Sequence, residues 1–275
     1  MHIIDMHTHS TFSDGTETPE RIVKLAKQRR ISMLALTDHD TTSGLSSFMK
    51  ACRAEGMNGV CGVELSAEAD FTLHILGYRF NPEDEQLNRR LQDIRDQRNS
   101  RNEKMCRKLS SQGIDINIEE VRKISGGEVV ARPHMAQLLV RKGYASSIPE
   151  AFAKYVGDHG SGYVARERIP ARECVELIRN AGGMAVMAHP LHTHLPEDEL
   201  EKIVGKLRDY GLWGIETIYS GYGTENIFTI TKMANKYGLV QTAGSDFHGA
   251  NKPGREMGMQ VPDTFLPWAR FGIKF

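Results

Sequence analysis

Short apolar runs alternate with amphipathic stretches in the first quarter of the chain. The apolar runs cover residues 2–7, 31–39 and 59–65, and helical patterns fill the intervals at 19–29 and near 45–56. Apolar runs of this length, separated by stretches with a helical period, are typical of buried strands joined by helices. This order of strand, helix, strand, helix and strand predicts a parallel sheet covered by helices.

Four more strand candidates follow later in the chain, together with helical stretches such as 171–182 and 225–238. The strand candidates are residues 71–78, 183–190, 212–219 and 239–248. About seven strands in this order favour a closed (β/α) barrel over an open sheet.

The pattern changes between residues 81 and 160, where long charge-rich helical sequence replaces the strands. We therefore predict a barrel built from residues 1–80 and 161–275. Residues 81–160 would form a mostly helical insertion that contributes to the substrate pocket. The charge run at 83–113 is more typical of a solvated helix face with i, i+4 pairs than of a binding surface.

The balance of charge limits the partners of this protein. Its 275 residues include 35 Lys and Arg and 35 Asp and Glu, so the formal net charge is zero. No overall basic field is therefore present to hold long nucleic acid. A small phosphorylated substrate, such as a nucleotide or a short oligonucleotide, remains compatible because a metal site supplies its own positive charge.

Four cysteines, Cys52, Cys61, Cys106 and Cys174, are scattered without a CxxC pair. This spacing favours neither a zinc ribbon nor a disulfide framework, and it suits a reducing compartment. The N-terminus lacks the pattern of a signal peptide, and no run of about 18 apolar residues occurs. We expect a cytoplasmic protein that does not bind a membrane, and the pattern predicts no particular oligomeric state.

Histidine and acidic side chains recur at the carboxyl ends of the strand candidates. In (β/α) barrels this rim is where active sites are built, from side chains of several strands. The stability of a barrel does not require such a placement, so the pattern indicates a functional site. The residues concerned are His7, His9, Asp38, His39, Glu64, His189, Asp246 and His248.

Two pairs among these residues have the spacing of metal ligands. His7 and His9 are two apart on a predicted strand, so both side chains leave the same face and can reach one cation. A single pair of this kind is weak evidence, because it also arises by chance. Asp246 and His248 repeat the spacing near the other end of the chain, and the repetition favours a metal site.

Other candidates each have a structural interpretation as well. Glu64 can be a strand-end residue in water, and His74 can be a buried histidine bonded to the backbone. Asp14 can serve a turn or a helix cap. His134 can be an ordinary residue of a first helical turn. None of these four is decisive alone.

Taken together, the candidates supply at least nine nitrogen or oxygen ligands and no thiolate. Mixed sets of histidine and carboxylate suit Zn, Mn or Fe in a multinuclear hydrolytic site, where a shared carboxylate bridges the metals. A single structural zinc would need only about four ligands. The excess predicts two or three divalent ions.

At these residues the sequence resembles the PHP (polymerase and histidinol phosphatase) superfamily. It is most similar there to the stand-alone bacterial phosphoesterases of the TrpH/YciV type. The motifs that carry the resemblance are DMHTHS, TDHD, the RPH and AHP segments, and GSDFH. The resemblance spans essentially the whole chain, and it implies a distorted (β/α)7 barrel with a trinuclear metal centre.

The resemblance also implies how the ligands are shared among three ions. The first ion would be held by His7, His9, Glu64 and Asp246. The second would be held by Glu64, as a bridge, with His74 and His134. The third would be held by Asp14, His39 and His248.

The activity that the resemblance implies is phosphoester hydrolysis, since this group includes nucleoside 3',5'-bisphosphate phosphatases and an exoribonuclease acting from 5'-phosphorylated ends of short RNA. We predict a phosphatase that acts on a nucleotide such as a 3',5'-bisphosphonucleotide, in which a metal-bound hydroxide attacks phosphorus in line. Four alternatives stay open: a 5'-3' exoribonuclease, a histidinol phosphatase, a binding module with a vestigial site, and an amidohydrolase.

Further residues are candidates for substrate contact. Arg132 can clamp a phosphate because its planar fork matches phosphoryl oxygens, although a surface arginine at a helix start would look the same. His189 can protonate the leaving group or hold a phosphate, and a structural or metal-ligand role explains it nearly as well. Arg166 is the basic residue of YVARE, where relatives tend to carry YVPK, and it is a candidate for substrate contact. Asp38 can orient His39 or another ligand.

Overall fold

The structure is a computed structural model that describes residues 1–125, 129–165, 169–266 and 268–271. The strands in these ranges, β1 to β9, are His2–Asp5, Met33–Leu36, Asn58–Glu68, His74–Tyr78, Ile169–Pro170, Met184–Met187, Gly214–Tyr219, Val240–Gly244 and Met259–Val261. The α-helices, α1 to α9, are Pro19–Gln28, Leu45–Glu55, Glu85–Ser110, Ile118–Ser125, Arg132–Arg141, Ile148–Ala151, Ala171–Asn180, Glu197–Asp209 and Thr224–Tyr237.

Eight of these strands lie side by side in the order β8-β7-β6-β4-β3-β2-β1-β9. The neighbours among β1, β2 and β3 are parallel, and so are those among β6, β7 and β8. The far edge returns to the start, because the Met6 N–H donates to the carbonyl of Ala243 in β8 at 2.9 Å. The sheet is thus nearly closed, and the predicted α/β barrel is confirmed.

One strand departs from the predicted parallel sheet. β4 runs antiparallel to both β3 and β6. Residues 69–73 alone connect β3 to β4, and a parallel pair would need a crossover of about a dozen residues or more. The start of β4 consequently lies at the same rim as the carboxyl ends of the parallel strands. His74 is its first residue.

Local sequence explains why helices cover this barrel. Helix α1 begins after Thr18, whose side chain accepts a backbone N–H of the first turn at 3.3 Å, and Pro19 suits that turn. Ile22, Val23 and Ala26 lie on one face of the helix and are buried in the barrel core. Along the described ranges, no helix combines the length and the hydropathy needed to cross a membrane.

The segment between β4 and β5 contains helices α3 to α6 and, among its described residues, no strand. The first half of α3 buries Leu87, Leu91 and Ile94 in the barrel core. Its second half buries Met105 and Leu109 in a separate apolar cluster. Helix α3 therefore ties the helical segment to the barrel, and the division at residues 81–160 stays a prediction.

Two short strands were not predicted. β5 pairs with the end of β3, where Ala67 is opposite Ile169, and it returns the chain from the helical segment to the barrel. β9 pairs antiparallel with β1. Strands of two and three residues are too short to show an alternating pattern in the sequence.

Asn102 joins α3 to the backbone that leads into α5. Its side chain is fully buried, and its amide donates to the Val130 carbonyl at 2.7 Å. Because Asn102→Ala removes this bond inside the protein, we expect the free energy of unfolding to fall by about 1–3 kcal/mol. Urea denaturation followed by circular dichroism measures the change. The control is Ser100→Ala on the exposed side of α3, with an expected change below about 0.5 kcal/mol; equal stability of the two variants would contradict the prediction.

Candidate metal centre

The strand ends bring the histidine and acidic residues to one rim of the barrel. His7 and His9 follow β1, His39 follows β2, and His189 follows β6. Asp246 and His248 follow β8. His74 joins them because β4 runs in the opposite direction and starts at this rim.

Glu64 occupies the middle of this rim and is fully buried. It lies inside β3, which extends beyond the end of β2 at Leu36, so the interpretation of Glu64 as a strand-end residue in water does not hold. Five imidazoles have a ring nitrogen within 3.3 Å of its carboxylate oxygens: His7, His9, His39, His74 and His189. One carboxylate thus connects five of the histidines.

The two oxygens of Glu64 face different histidines. Oε2 lies 3.3 Å from His7 Nε2, 3.3 Å from His9 Nε2 and 3.0 Å from His39 Nδ1. Oε1 lies 2.8 Å from His74 Nδ1 and 3.0 Å from His189 Nε2. This arrangement is the one expected of a carboxylate that bridges two cations.

Two aspartates complete the centre on either side. Asp246 Oδ1 lies 3.4 Å from His9 Nε2 and 3.3 Å from His248 Nδ1. Asp14 Oδ1 lies 3.1 Å from His248 Nε2 and 3.9 Å from His39 Nε2. His9 and His248 stack with ring centroids 4.0 Å apart, so both aspartates lie beside the same pair of stacked rings.

The donor set fits divalent metal ions. Four overlapping groups of three or four residues have ligand atoms within 4.8 Å of one another. Buried polar atoms without a partner are costly, and these are the atoms that a cation would bind. Within the centre, the atoms without a hydrogen-bond partner among the described residues are His7 Nε2, His9 Nδ1 and Nε2, Asp14 Oδ1, His39 Nδ1, Glu64 Oε2, His189 Nδ1 and His248 Nε2.

The protonation states differ among the side chains of the centre. Burial opposes ionisation of Glu64, but the charges of His39, His7 and His74 hold the pKa of its carboxyl well below the usual range. Burial lowers the pKa of His39 to about 3. His9 differs, because contacts with Asp246 and Glu64 overcome the effect of burial and raise its pKa to about 9. An ionised carboxylate beside a neutral imidazole is the state that binds a metal, so Glu64 and His39 are in that state, whereas His9 would release a proton when a metal binds.

Strained backbone accompanies the site. Asp40, His189 and Asp246 have positive φ angles of 53°, 27° and 57°, and all three follow strands at this rim. Such conformations cost about 1–3 kcal/mol each and persist where the surrounding structure enforces them.

His134 is not brought into the cluster. It is the third residue of α5, and its Nδ1 accepts the Ala131 N–H at 3.1 Å, so one ring nitrogen serves the start of its own helix. None of the ligand groups among the described residues contains it. His189 takes the equivalent place beside Glu64 Oε1.

Arg132 lies beside the centre in a cavity of about 210 Å³. Its Nη1 donates to Asp158 Oδ1 at 2.6 Å. The floor of the cavity includes Asp14, His39 and His74, and its walls carry Arg98, Arg101, Arg132, Phe152 and Tyr163. The walls come from the segment between β4 and β5. Arg166 lies outside the described residues.

Asp38 contacts the loop between His9 and Asp14 instead of the ring of His39. Its carboxylate accepts the Ser10 N–H at 2.7 Å and the hydroxyls of Ser10 and Ser13 at 2.6 Å each. These bonds shape the loop between His9 and Asp14, and no hydrogen bond to a histidine ring is present in the described structure. Asp38 thus orients ligands through the backbone of the loop.

Sequence reasoning missed two buried carboxylates beneath the centre. Asp5 accepts the backbone N–H of His7 at 3.3 Å and that of Ser245 at 2.9 Å. Glu216 in β7 contacts the ring of His7. The available signal was an acidic residue inside an apolar strand, the same signal that singled out Glu64.

Comparison with known proteins agrees with this geometry. A model of the PHP domain family matches residues 5–182. A 3',5'-nucleoside bisphosphate phosphatase of Chromobacterium violaceum is 33% identical over 257 residues, which cover 93% of this chain and 90% of that protein. A 5'-3' exoribonuclease of Haemophilus influenzae is 30% identical over 272 residues, covering 97% of this chain and 98% of that protein.

A solved structure extends the similarity to three dimensions. It is a Bifidobacterium adolescentis protein described as a metal-dependent phosphoesterase. The two chains superpose with a TM-score of 0.84 and 30% sequence identity, over 94% of this chain and 92% of the other.

Metal binding should stabilise the protein, because the buried ligand atoms gain partners. We expect added Mn²⁺ to raise the Tm of chelator-treated protein, since a ligand at 1,000 times its Kd contributes about 4.1 kcal/mol. Thermal unfolding with and without Mn²⁺ measures the shift. His7→Ala/His9→Ala should lose most of it, and His159→Ala, an exposed histidine outside the cluster, should keep it. If Mn²⁺, Fe²⁺ and Zn²⁺ all leave the Tm of the wild-type protein unchanged, the residues do not form a metal centre.

Proposed function

This chain belongs to the PHP domain family, and we propose that it is a phosphatase for a nucleotide such as a 3',5'-bisphosphonucleotide. The solved structure to which it is similar is described as a metal-dependent phosphoesterase. The observation that carries the proposal is the Glu64 carboxylate among five imidazoles, next to a cavity lined with arginines. The cluster supplies ligands for cations, and the cavity supplies a place for an anion.

The geometry supports a revised division of the ligands among two or three ions of Mn, Fe or Zn. We assign His7, His9, Glu64 and Asp246 to the first ion. We assign Asp14, His39 and His248 to the third. For the second, we keep Glu64 and His74 and replace His134 by His189, because His74 and His189 both face Glu64 Oε1.

Divalent ions held there would lower the pKa of bound water toward about 7 and neutralise charge that develops on a phosphoryl group. The residues of the chain position the reactants around this chemistry. Arg132 faces the cavity, and its guanidinium can form two parallel bonds to phosphoryl oxygens in exchange for Asp158. As a ligand, His189 would not serve as the proton donor that the sequence suggested.

The cavity favours a small anionic substrate with a flat ring. Phe152 and Tyr163 line it together with Arg98, Arg101 and Arg132. Aromatic faces stack on nucleobases, and arginines bind phosphates. A zero net charge provides no attraction for long nucleic acid, so a mononucleotide fits better than a polymer.

A 5'-3' exoribonuclease acting on short oligonucleotides is the second candidate. The Haemophilus influenzae exoribonuclease aligns with nearly the full length of this chain, so the same centre can be associated with phosphodiester cleavage. Phosphate release from 3',5'-bisphosphonucleotides and mononucleotide release from 5'-phosphorylated trinucleotides, measured with one Mn²⁺-loaded preparation, separate the two. We expect a kcat/KM at least about tenfold higher for the bisphosphonucleotide, equal to about 1.4 kcal/mol of discrimination.

A reversed preference would replace the phosphatase proposal by the exoribonuclease. A preference for histidinol phosphate over both nucleotide substrates would instead identify the third phosphoester alternative, which shares this chemistry.

Arg132 should contribute to substrate binding through its charge and shape. We expect Arg132→Ala to lower kcat/KM by about 10- to 100-fold, since hydrogen bonds to charged groups contribute about 1.5–3 kcal/mol. Arg132→Lys should recover only part of the loss, because an ammonium lacks the planar fork. Steady-state phosphate release measures both variants.

Arg141→Ala provides the matched control, because Arg141 is exposed at the other end of the same helix and should keep wild-type turnover. Unchanged kinetics in Arg132→Ala would remove Arg132 from the substrate site.

A further inference from the structure

Glu216 is a buried carboxylate that the proposed reaction does not use. It lies in β7, its side chain points into the barrel, and it is fully buried. Among the described residues, its ion-pair partner within 4.0 Å is a histidine, His7, and no lysine or arginine lies within that distance. A buried carboxylate without a basic partner is costly unless each oxygen accepts hydrogen bonds.

One of these bonds involves the ring of His7. Glu216 Oε1 lies 3.2 Å from His7 Nδ1. An ionised carboxylate only accepts hydrogen bonds, so Nδ1 must carry the proton. The lone pair of a neutral His7 then resides on Nε2, which faces Glu64 Oε2 at 3.3 Å and Asp246 Oδ1 at 3.6 Å. Glu216 thereby selects the form of His7 whose free nitrogen points into the metal centre.

The other oxygen holds the backbone of a second histidine. The His189 N–H donates to Glu216 Oε2 at 2.8 Å. His189 has a φ of 27° and a ψ of 62°, a sparsely populated conformation for a residue with a side chain. This conformation directs its ring to Glu64 Oε1 at 3.0 Å. The bond from Glu216 stabilises a strained backbone at the point where the ring must reach the centre.

In the neighbouring strand β8, Gly244 leaves room for the contact between His7 and Glu216. A Cβ at Gly244 would lie 2.3 Å from the His7 Cβ and 2.6 Å from Glu216 Oε1, closer than real contacts allow. The backbone of β8 therefore packs directly against the pair formed by His7 and Glu216. The pair is held from two strands and cannot easily rearrange.

We propose that Glu216 is a positioning residue of the metal centre, which sets the proton of His7 and the backbone of His189 so that both rings present nitrogen to the ions. This inference rests on the proposed metal-dependent function. Carboxylates that orient metal-bound histidines typically change metal affinity by about 10- to 100-fold when they are removed.

Glu216→Gln tests the proposal with almost no change in shape. The amide keeps one acceptor oxygen for the His189 N–H, but its NH₂ group then faces His7 Nδ1 and cannot accept a proton from it. His7 is pushed to carry its proton on Nε2, toward the ions. We expect Mn²⁺ affinity, measured by competition with a fluorescent chelator, to fall about 10- to 100-fold.

Thr217→Val is the matched control. Thr217 is the next residue of β7, is also fully buried, and its hydroxyl has no hydrogen-bond partner within the described part of the chain. Thr217→Val should bind Mn²⁺ with wild-type affinity, and a loss equal to that of Glu216→Gln would overturn the proposal, because any change in β7 would then suffice.

The proton position in the wild-type protein gives a readout that needs no stable variant at Glu216. In chelator-treated, ¹⁵N-labelled protein, at a pH high enough to leave the His7 ring with a single proton, long-range ¹H–¹⁵N NMR distinguishes a proton on Nδ1 from one on Nε2, and His7→Gln identifies the resonance. We expect Nδ1–H in the wild type. An Nε2–H form there, or a Glu216→Gln variant with unchanged affinity, would overturn the role of Glu216. A wild type that binds no metal would instead refute the proposed function.

Discussion

The burial of one carboxylate among five imidazoles is the constraint on which this site depends. Glu64 is buried at the rim of the barrel. Its oxygens face ring nitrogens of five histidines, which lie at the start of β4 or shortly after β1, β2 and β6. A buried charge of this kind is costly without partners, so the fold must deliver those partners together. The extension of β3 past β2 and the reversal of β4 both serve that end, because they place Glu64 and His74 at the same rim.

The centre and the cavity beside it have separate structural origins. The ligands belong to the barrel, whose parallel strands end at one rim. The arginines and aromatic rings of the cavity belong to the helical segment, and helix α3 joins the two by packing its first half against the barrel and its second half in the helical cluster. Relatives with different phosphoester substrates are compatible with this division, since a change in the helical segment can alter the cavity and leave the ligands in place.

Local patterns in the sequence predicted the strands that lead to His7, His9, Asp246 and His248, although β1 and β8 end just before these residues. They could not distinguish His134 from His189. Both lie next to a proline in a short motif, RPH and AHP. The difference lies in a contact three residues away, where His134 Nδ1 accepts the Ala131 N–H at the start of its own helix. The direction of β4 and the role of Glu216 depend on pairing between distant segments, which single-sequence periodicity does not report. Arg166 stays a sequence prediction.

We propose that the cluster around Glu64 is a multinuclear metal centre in which His189, and not His134, completes the ligands. Anomalous X-ray diffraction from Mn²⁺-soaked crystals, recorded on both sides of the Mn absorption edge, locates the ions. We expect at least two anomalous peaks, one within bonding distance of both Glu64 and His189, with His134 bound to none. A single peak, peaks away from Glu64, or a peak coordinated by His134 would contradict it.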